Sequence, residues 1–214
     1  MKKLFLITII LSLLLFGCGK EEESNNTKGI KIDEVGIVKS DLGEECLLLK
    51  ATNTNKTQVT IFSTLSLLNS SNKEVGEETG FINLYSNQSS YYIVEISSAY
   101  DYSSYKLKNE SMINMYNNYK DIYDSIKVEQ ITSDDKETIK FRVNNNSTKE
   151  INAQVLGLFY KNNEIIAASI GVCENVSSKG KCEDTVFIPV NNVDDYTIID
   201  YDKVELSLMN VDYK

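Results

Sequence analysis

Cysteine is the most reactive side chain in this 214-residue sequence, and it occurs four times. Cys173 and Cys182 flank a turn of eight residues, Glu174 to Lys181, which contains Ser, Lys and Gly. This spacing fits neither a CxxC redox pair nor the usual spacing of zinc ligands. We therefore expect a structural disulfide between two facing strand positions, which would stabilise the fold by about 2–3 kcal/mol.

Histidine chemistry is excluded because the chain contains no histidine. Ser-His-Asp catalysis, Cys-His catalysis and His-ligated metal sites all need an imidazole. Cys46, which is left without a partner, has no base to lower its thiol pKa and is interpreted as a tolerated thiol at a peripheral site. The acidic clusters, such as Asp134–Asp135 and Asp194–Asp195, lack the EF-hand spacing and predict solvated turns. No catalytic residue, metal site or cofactor is predicted.

Tyrosine is crowded into one region, with eight side chains in the thirty-three residues from Tyr91 to Tyr123. A tyrosine has a large apolar body and a polar tip, which suits cores, domain junctions and binding surfaces alike. Core filling accounts for part of the group, whereas an exposed subset would bind a protein or stack on a sugar. The chain contains no Trp, so sugar binding ranks lower. The candidate binding surface comprises Tyr91, Tyr92, Tyr100, Tyr102 and Tyr105.

The overall composition is that of a globular protein, with 42% hydrophobic and 25% charged residues. The net charge is −9 and Arg142 is the sole arginine. A surface that follows nucleic-acid phosphates needs clustered Lys and Arg. No nucleic-acid partner is therefore expected.

The N-terminus has the layout of an export signal. Two lysines precede an uncharged run of thirteen residues, Leu4–Phe16, which is shorter than the ~20 residues that span a bilayer. The run ends at Leu15, Gly17 and Cys18, and there the segment resembles bacterial lipoprotein signal peptides. Those have an aliphatic residue three positions before the lipidated cysteine and a small residue just before it. Phe16 departs from the commoner small residue of that pattern.

The resemblance implies that residues 1–17 are a signal peptide and that Cys18 carries diacylglyceryl and fatty acyl chains such as palmitate. These chains would anchor the protein to the outer side of the cell membrane. The alternative is an ordinary secretory signal with a chance cysteine. Residues 18–29 predict a polar tether, because Gly19 to Gly29 contains no hydrophobic residue. Frequent Asn, Lys, Ile and Tyr indicate an AT-rich genome, as in a low-GC Gram-positive bacterium.

The rest of the chain contains one pattern twice, at an offset of about ninety residues. Apolar and polar residues alternate in both copies, which predicts strands, and turn residues follow every 8–12 positions, as in antiparallel β-sandwiches. With Pro189 as the sole proline, the turns must rely on Asn, Asp, Ser and Gly. Ile82 and Tyr91 match Cys173 and Cys182. The matching segments are Ile30–Asp33 with Ile126–Glu129, Glu45–Ala51 with Glu137–Val143, and Val59–Leu68 with Ile151–Tyr160.

We therefore predict an all-β protein with two tandem immunoglobulin-like antiparallel β-sandwich domains, residues 30–118 and 119–214. About ninety residues per copy suits a seven-strand unit. In residues 109–126, Met112, Met115, Tyr116 and Tyr119 follow helical spacing, which favours a short linker helix over an irregular linker.

The run from Gly157 to Ile166, preceded by Asn144–Ser147, resembles the FxLYD-type immunoglobulin-like domains of bacterial envelope lipoproteins. That family combines an Asn-rich turn with a strand that ends in an aromatic pair. Lys161 stands where the family has Asp, and the first copy reads Leu67-Leu68-Asn69. The resemblance implies the fold and no activity, since fold alone does not give function.

Together these patterns predict a membrane-anchored, non-enzymatic protein outside the cytoplasm that binds or scaffolds an envelope protein or peptide. Its contacts would be the membrane, through Cys18, and a partner at the sandwich edges or the tyrosine-rich region. The alternative is an envelope hydrolase with two carboxylates, which predicts a deep cleft with carboxyl groups within about 5–10 Å and a raised pKa. A transporter's lipoprotein component is disfavoured, since such receptors usually need larger α/β lobes.

Overall fold

The computed structural model describes residues 28–114, 120–132, 136–191 and 196–213. Four predicted features lie outside these residues and stay predictions: the signal peptide 1–17, Cys18, most of the tether and the 118/119 domain boundary. The described part contains, in chain order, β1 (Ile30–Lys39), β2 (Glu45–Asn53), β3 (Gln58–Leu68), β4 (Glu74–Leu84), β5 (Gln88–Ile96), β6 (Ser104–Asn114), α1 (Lys120–Asp124), β7 (Ile126–Gln130), β8 (Thr138–Asn145), β9 (Ile151–Lys161), β10 (Glu164–Val176), β11 (Lys181–Phe187) and β12 (Lys203–Tyr213).

The predicted all-β, sandwich-like fold is confirmed, and its strands pair in the same order in both parts of the chain. In the first half, residues 28–114, the sheets are β1-β2-β5 and β4-β3-β6. In the second half, residues 120–213, they are β7-β8-β11 and β10-β9-β12. The described part of each half thus has six strands, one fewer than the seven suggested by length.

The predicted linker helix is present only as α1, which has five residues. Met112 lies in β6, because the register of β6 follows β3 from Ser104 to Asn114. Met115, Tyr116 and Tyr119 lie outside the described residues. Over a short segment, apolar spacing alone does not separate a strand from a helix.

Two buried asparagines, Asn53 and Asn145, end the second strand of each half and stand 92 positions apart. In both, Nδ2 donates to the carbonyl four residues ahead at 2.8 Å, and to the carbonyls 31 and 32 residues ahead at 2.9–3.2 Å. In both, Oδ1 accepts from the backbone N–H two residues ahead. One carboxamide therefore joins the turn after its strand to the end of a strand in the opposite sheet.

The two sheets of each half also approach closely at a glycine. A Cβ on Gly80 would lie 2.5 Å from the Ile93 carbonyl oxygen, and one on Gly171 would lie 2.7 Å from that of Thr185. Ile93 and Thr185 are again 92 positions apart. The duplicated pattern is thus a duplicated set of contacts.

The predicted Cys173–Cys182 disulfide is present, with 6.0 Å between the two Cα atoms. Cys173 lies in β10 and Cys182 in β11, which belong to different sheets. The bond therefore joins the two layers of the sandwich, where sequence suggested two facing strand positions. In the strand register of the first half, Ile82 occupies the position equivalent to Cys173, as predicted. The position equivalent to Cys182 is occupied by Ser90, so the predicted equivalence with Tyr91 is wrong.

The two halves share a buried apolar interface. One parallel pair, Lys39 with Ala167, joins β1 to β10, so that β12-β9-β10-β1-β2-β5 is a continuous sheet. On β9, Phe159 packs in the core of the second half, whereas Leu156 and Leu158 belong to the buried cluster of the first half. Strand β9 therefore contacts a core on each of its faces.

Residues at this interface are apolar where they are buried, whereas the equivalent residues of the other repeat are polar where they lie on an outer face. Leu156 and Leu158 are buried, while Thr64 and Ser66, 92 positions earlier, lie on the outer face of the first half. On the other side of the interface Leu48 is fully buried. Its counterpart Lys140 forms an ion pair with Glu183 on the outer face of the second half. Burial against the other half thus explains where the alternating pattern becomes apolar on both faces.

The asparagine contacts predict a specific loss of stability. Asn145→Ala removes the hydrogen bonds from its carboxamide to backbone groups of Ser147, Lys149, Val176 and Ser177, and should lower the free energy of unfolding by about 2–3 kcal/mol. Chemical denaturation measures this loss. Asn146→Ala, at the adjacent exposed side chain, is the matched control and should change stability by less than about 0.5 kcal/mol. Equal effects of the two substitutions would contradict the assigned role.

The interface predicts an asymmetric result when counterparts are exchanged. Leu158→Ser removes a buried side chain and should cost about 3 kcal/mol. The reciprocal Ser66→Leu, on the outer face, should leave stability within about 0.5 kcal/mol of the parent chain. Thermal unfolding of both variants tests this, and a cost for Leu158→Ser as small as that of Ser66→Leu would mean that the halves do not pack together.

Candidate binding site

Tyr92 does not belong to the candidate surface, because it is completely buried in the core of the first half. Its hydroxyl lies 2.5 Å from Ser63 Oγ, which donates to Asn109 Oδ1 at 2.5 Å. Burial raises the pKa of Tyr92 to about 12. The alternation of β5 places Tyr92 inward, and its pairing with Leu49 in β2 fixes that side.

Tyr91, on the opposite face of β5, is half-buried among the residues packed against the first-half core. The ammonium of Lys50 lies 5.2 Å from the centre of its ring. Tyr91 lies near Tyr160 of β9. Burial and Glu205 are the main causes of the raised pKa of Tyr160, and Tyr91 contributes to it. Tyr91 therefore packs at the margin of the interface between the halves.

Tyr102 and Tyr105 form a half-exposed surface whose hydroxyls are held by carboxylates. Tyr102 donates to Glu45 Oε2 at 2.5 Å, and Tyr105 donates to Glu34 Oε2 at 3.0 Å. Burial and Glu34 raise the pKa of Tyr105 to about 12, and burial and Glu45 also raise the pKa of Tyr102. Both hydroxyls therefore stay protonated, and both rings are fixed in place.

Tyr100 completes this surface. Its ring lies against Gly76 of β4, where an added Cβ would come within 2.4 Å of Cε1. A glycine is required at position 76 because a larger residue would displace the ring. Tyr100 is therefore held from behind by the first-half sandwich. We name Tyr100, Tyr102 and Tyr105 the tyrosine surface.

A pocket of about 440 Å³ opens beside the tyrosine surface. It forms where the end of β1, the turn before β2 and the end of β5 meet one residue from the second half. Ser98 Oγ donates to Glu44 Oε1 at 2.7 Å, which holds one wall. The pocket is lined by Lys39, Gly43, Glu44, Glu45, Ile96, Ser97, Ser98, Tyr100, Tyr102 and Asn191.

Further carboxylates lie near Glu44 at one wall of this pocket. The pKa of Glu95, in β5, is raised by partial burial and by the nearby carboxylates of Asp41, Glu44 and Glu78. The part of this shift that the neighbouring carboxylates cause reflects negative charge near Glu95. Sequence reasoning missed Glu34, Glu45 and Asn191, because these residues reach the tyrosine surface or its pocket only through the fold.

Cys46 is fully buried and unpaired, so the interpretation as a peripheral thiol is wrong. Burial and the carboxylates of Glu95, Asp41 and Glu45 raise its pKa to about 12. Of the acidic clusters, Asp134–Asp135 and Asp194–Asp195 lie outside the described residues. Among the described residues, no three His, Cys, Asp or Glu side chains are placed to hold a metal ion, and α1 is too short to cross a membrane.

Comparison with known proteins identifies no family for this chain. No protein-family model matches the chain, and no curated protein matches it. The chain is similar in structure to the YadV chaperone, at 6% identity and a TM-score of 0.25. The match covers 87% of this chain and all of the chaperone chain. It is also similar to 30% of a red sea bream transglutaminase, at 9% identity and a TM-score of 0.24. The C-terminal globular domain of a Pyrococcus abyssi oligosaccharyltransferase is covered to 48%, at 10% identity and a TM-score of 0.19. Similarities this low carry no argument about function.

The charge around Glu95 predicts a pH dependence of stability. Since the folded pKa lies above the ordinary value of 4.5, the folded chain binds this proton more tightly than the unfolded chain. Stability therefore falls as the pH rises through the window between the two values. Glu95→Gln should raise Tm at about pH 7, and the gain should vanish as the pH falls below the ordinary value. Glu174→Gln, at an exposed residue of β10, is the matched control, and a pH-independent gain would contradict this assignment.

Proposed function

We propose that this protein is a membrane-anchored lipoprotein outside the cytoplasm that binds an envelope protein or peptide and catalyses no reaction. The observation that carries the proposal is the tyrosine surface beside its pocket. Rings fixed by carboxylates and by Gly76 lose little side-chain entropy when a partner binds. Tyrosine is also enriched at protein interfaces, where its ring and hydroxyl both make contacts.

The position of the pocket relative to the predicted anchor supports this proposal. The described part begins at residue 28, and the carbonyl of Gly29 accepts hydrogen bonds from the N–H and the Oγ1 of Thr54. From there β1 runs to Lys39, which lines the pocket. Ten residues at about 3.3 Å each separate the two ends by roughly 30 Å. A lipid on Cys18 would thus be joined to the end of the first half that lies away from the pocket.

The contacts of the pocket carboxylates also favour recognition over hydrolysis. Glu44 and Glu45 accept hydrogen bonds from Ser98 and Tyr102. Donors of this kind hold the two carboxylates in place as hydrogen-bond acceptors. The raised pKa of Glu95 has its explanation in burial and its acidic neighbours. The envelope hydrolase stays the alternative.

Cross-linking in intact cells tests the proposed function. The parent chain should form a saturable cross-linked complex in the membrane fraction, and Tyr100→Ala combined with Tyr102→Ala and Tyr105→Ala should abolish it. Tyr196→Ala, which removes a tyrosine that is 73% exposed in the second half, is the matched control and should leave the complex unchanged. Thermal unfolding of each purified variant shows whether the fold is retained.

The anchor is tested in the same cells. Cys18→Ser should move the protein from the membrane fraction to the soluble fraction, because the proposed acyl chains are attached through the Cys18 sulfur. A complex that survives the triple tyrosine substitution would contradict the binding surface. A Cys18→Ser variant that stays with the membrane would contradict the anchor.

A further inference from the structure

We infer that the pocket beside the tyrosine surface takes an arginine side chain of the partner polypeptide. This inference rests on the proposed function, since it names the group that the binding surface would recognise. Three features of the site carry it: a concave space bounded by two aromatic rings, two carboxylates with fixed positions, and a surplus of negative charge around them.

The size and walls of the pocket fit a long side chain. Its volume of about 440 Å³ exceeds what one side chain fills, which leaves room for backbone and water. Tyr100 and Tyr102 present aromatic rings to it, while Ile96 is buried at its base. Cations bind over aromatic faces, and the planar guanidinium also stacks on them. The methylene stem of an arginine suits the apolar part of the same wall.

The carboxylates supply the charge that an arginine requires. Glu44 Oε1 and Glu45 Oε2 each accept one hydrogen bond from a hydroxyl, so the second oxygen of each carboxylate can accept further hydrogen bonds. A guanidinium has five N–H donors in a rigid plane and pairs with carboxylates through two parallel bonds. Lysine offers a single point charge and gains less from a flat aromatic wall.

Lys39 also lines the pocket and is the one cation among its lining residues. Its charge opposes a second cation, but Glu44 and Glu45 outnumber it within the lining. Glu95 and Asp41 add to this surplus, because Glu95 lies near enough to both Glu44 and Asp41 for their carboxylates to raise its pKa. The net field therefore attracts a cation, and removal of the Lys39 charge should strengthen that attraction.

The test uses the full chain in detergent and three blocked peptides: acetyl-Gly-Arg-Gly-amide, its lysine version and its citrulline version. Citrulline keeps the shape of arginine and lacks the charge. Saturation-transfer NMR should detect the arginine peptide with a Kd of about 1 mM, the lysine peptide several-fold more weakly and the citrulline peptide not at all. Added salt should weaken the binding, since the attraction is partly electrostatic.

Substitutions then place the binding in the pocket. Glu44→Gln combined with Glu45→Gln should weaken the arginine peptide at least about tenfold, as expected for loss of charge-assisted bonds. Each glutamine retains an oxygen that accepts from Ser98 or Tyr102, so the walls stay in place. Glu174→Gln lies seven residues along β10 from Ala167, roughly 23 Å from the Lys39 pair, and should change nothing. Lys39→Met should tighten binding several-fold.

Equal binding of the arginine and citrulline peptides would overturn the inference, as would an unchanged affinity in the double glutamine variant or weaker binding in Lys39→Met. Failure here is distinguishable from failure of the proposed function. A cross-linked complex that depends on the tyrosine surface, together with no arginine binding, would leave the proposed function standing. Arginine binding without any cross-linked complex would support the pocket and contradict the proposed function.

Discussion

Two buried carboxamides, Asn53 and Asn145, are the constraint on which the rest of the structure depends. Each satisfies backbone groups from a turn and from the far end of a strand in the opposite sheet. Unpaired backbone groups are costly inside a protein. The carboxamide therefore fixes how far apart the two sheets lie and where the following turn can run. Because both halves contain this asparagine at the same place, their two sheets are arranged in the same way. The residues that differ between the halves reflect what each outer face contacts.

The outer faces of the two halves differ in the polarity of their side chains. Where the halves meet, β2 and β9 have apolar residues on both sides, as Leu48 and Leu158 show. At the counterpart positions, Lys140 and Ser66 are polar. The outer face of the second half has a charged network in which Arg142 contacts Glu129 and Glu183. Polar groups on the exposed copy of a docking face limit further stacking of the same kind.

Much of the fold could be predicted from alternation and repetition, whereas the site could not. Alternation identified the inward positions Phe141 and Val143, and the spacing of Cys173 and Cys182 identified the disulfide, both of which the structure contains. Alternation did not show that β9 meets a core on each face, because burial on the second face depends on the other half. The bonds from Tyr102 to Glu45 and from Tyr105 to Glu34 join residues 57 and 71 positions apart. Residue type alone did not predict that Tyr92 is buried, since a tyrosine in a strand can pack in a core as well as lie on a surface.

The course of β1 has a mechanical consequence for a tethered protein. The strand pairs with β2 over nearly its whole length, from Ile30 to Lys39, with one irregularity near Gly36. A pull between an anchor before Ile30 and a partner at the Lys39 end acts along the strand axis. Such a force loads the β1–β2 hydrogen bonds in shear, so that they resist together, whereas a perpendicular force would open them one at a time. The strand nearest the predicted anchor is therefore oriented to bear tension between a cell surface and whatever is bound at its far end.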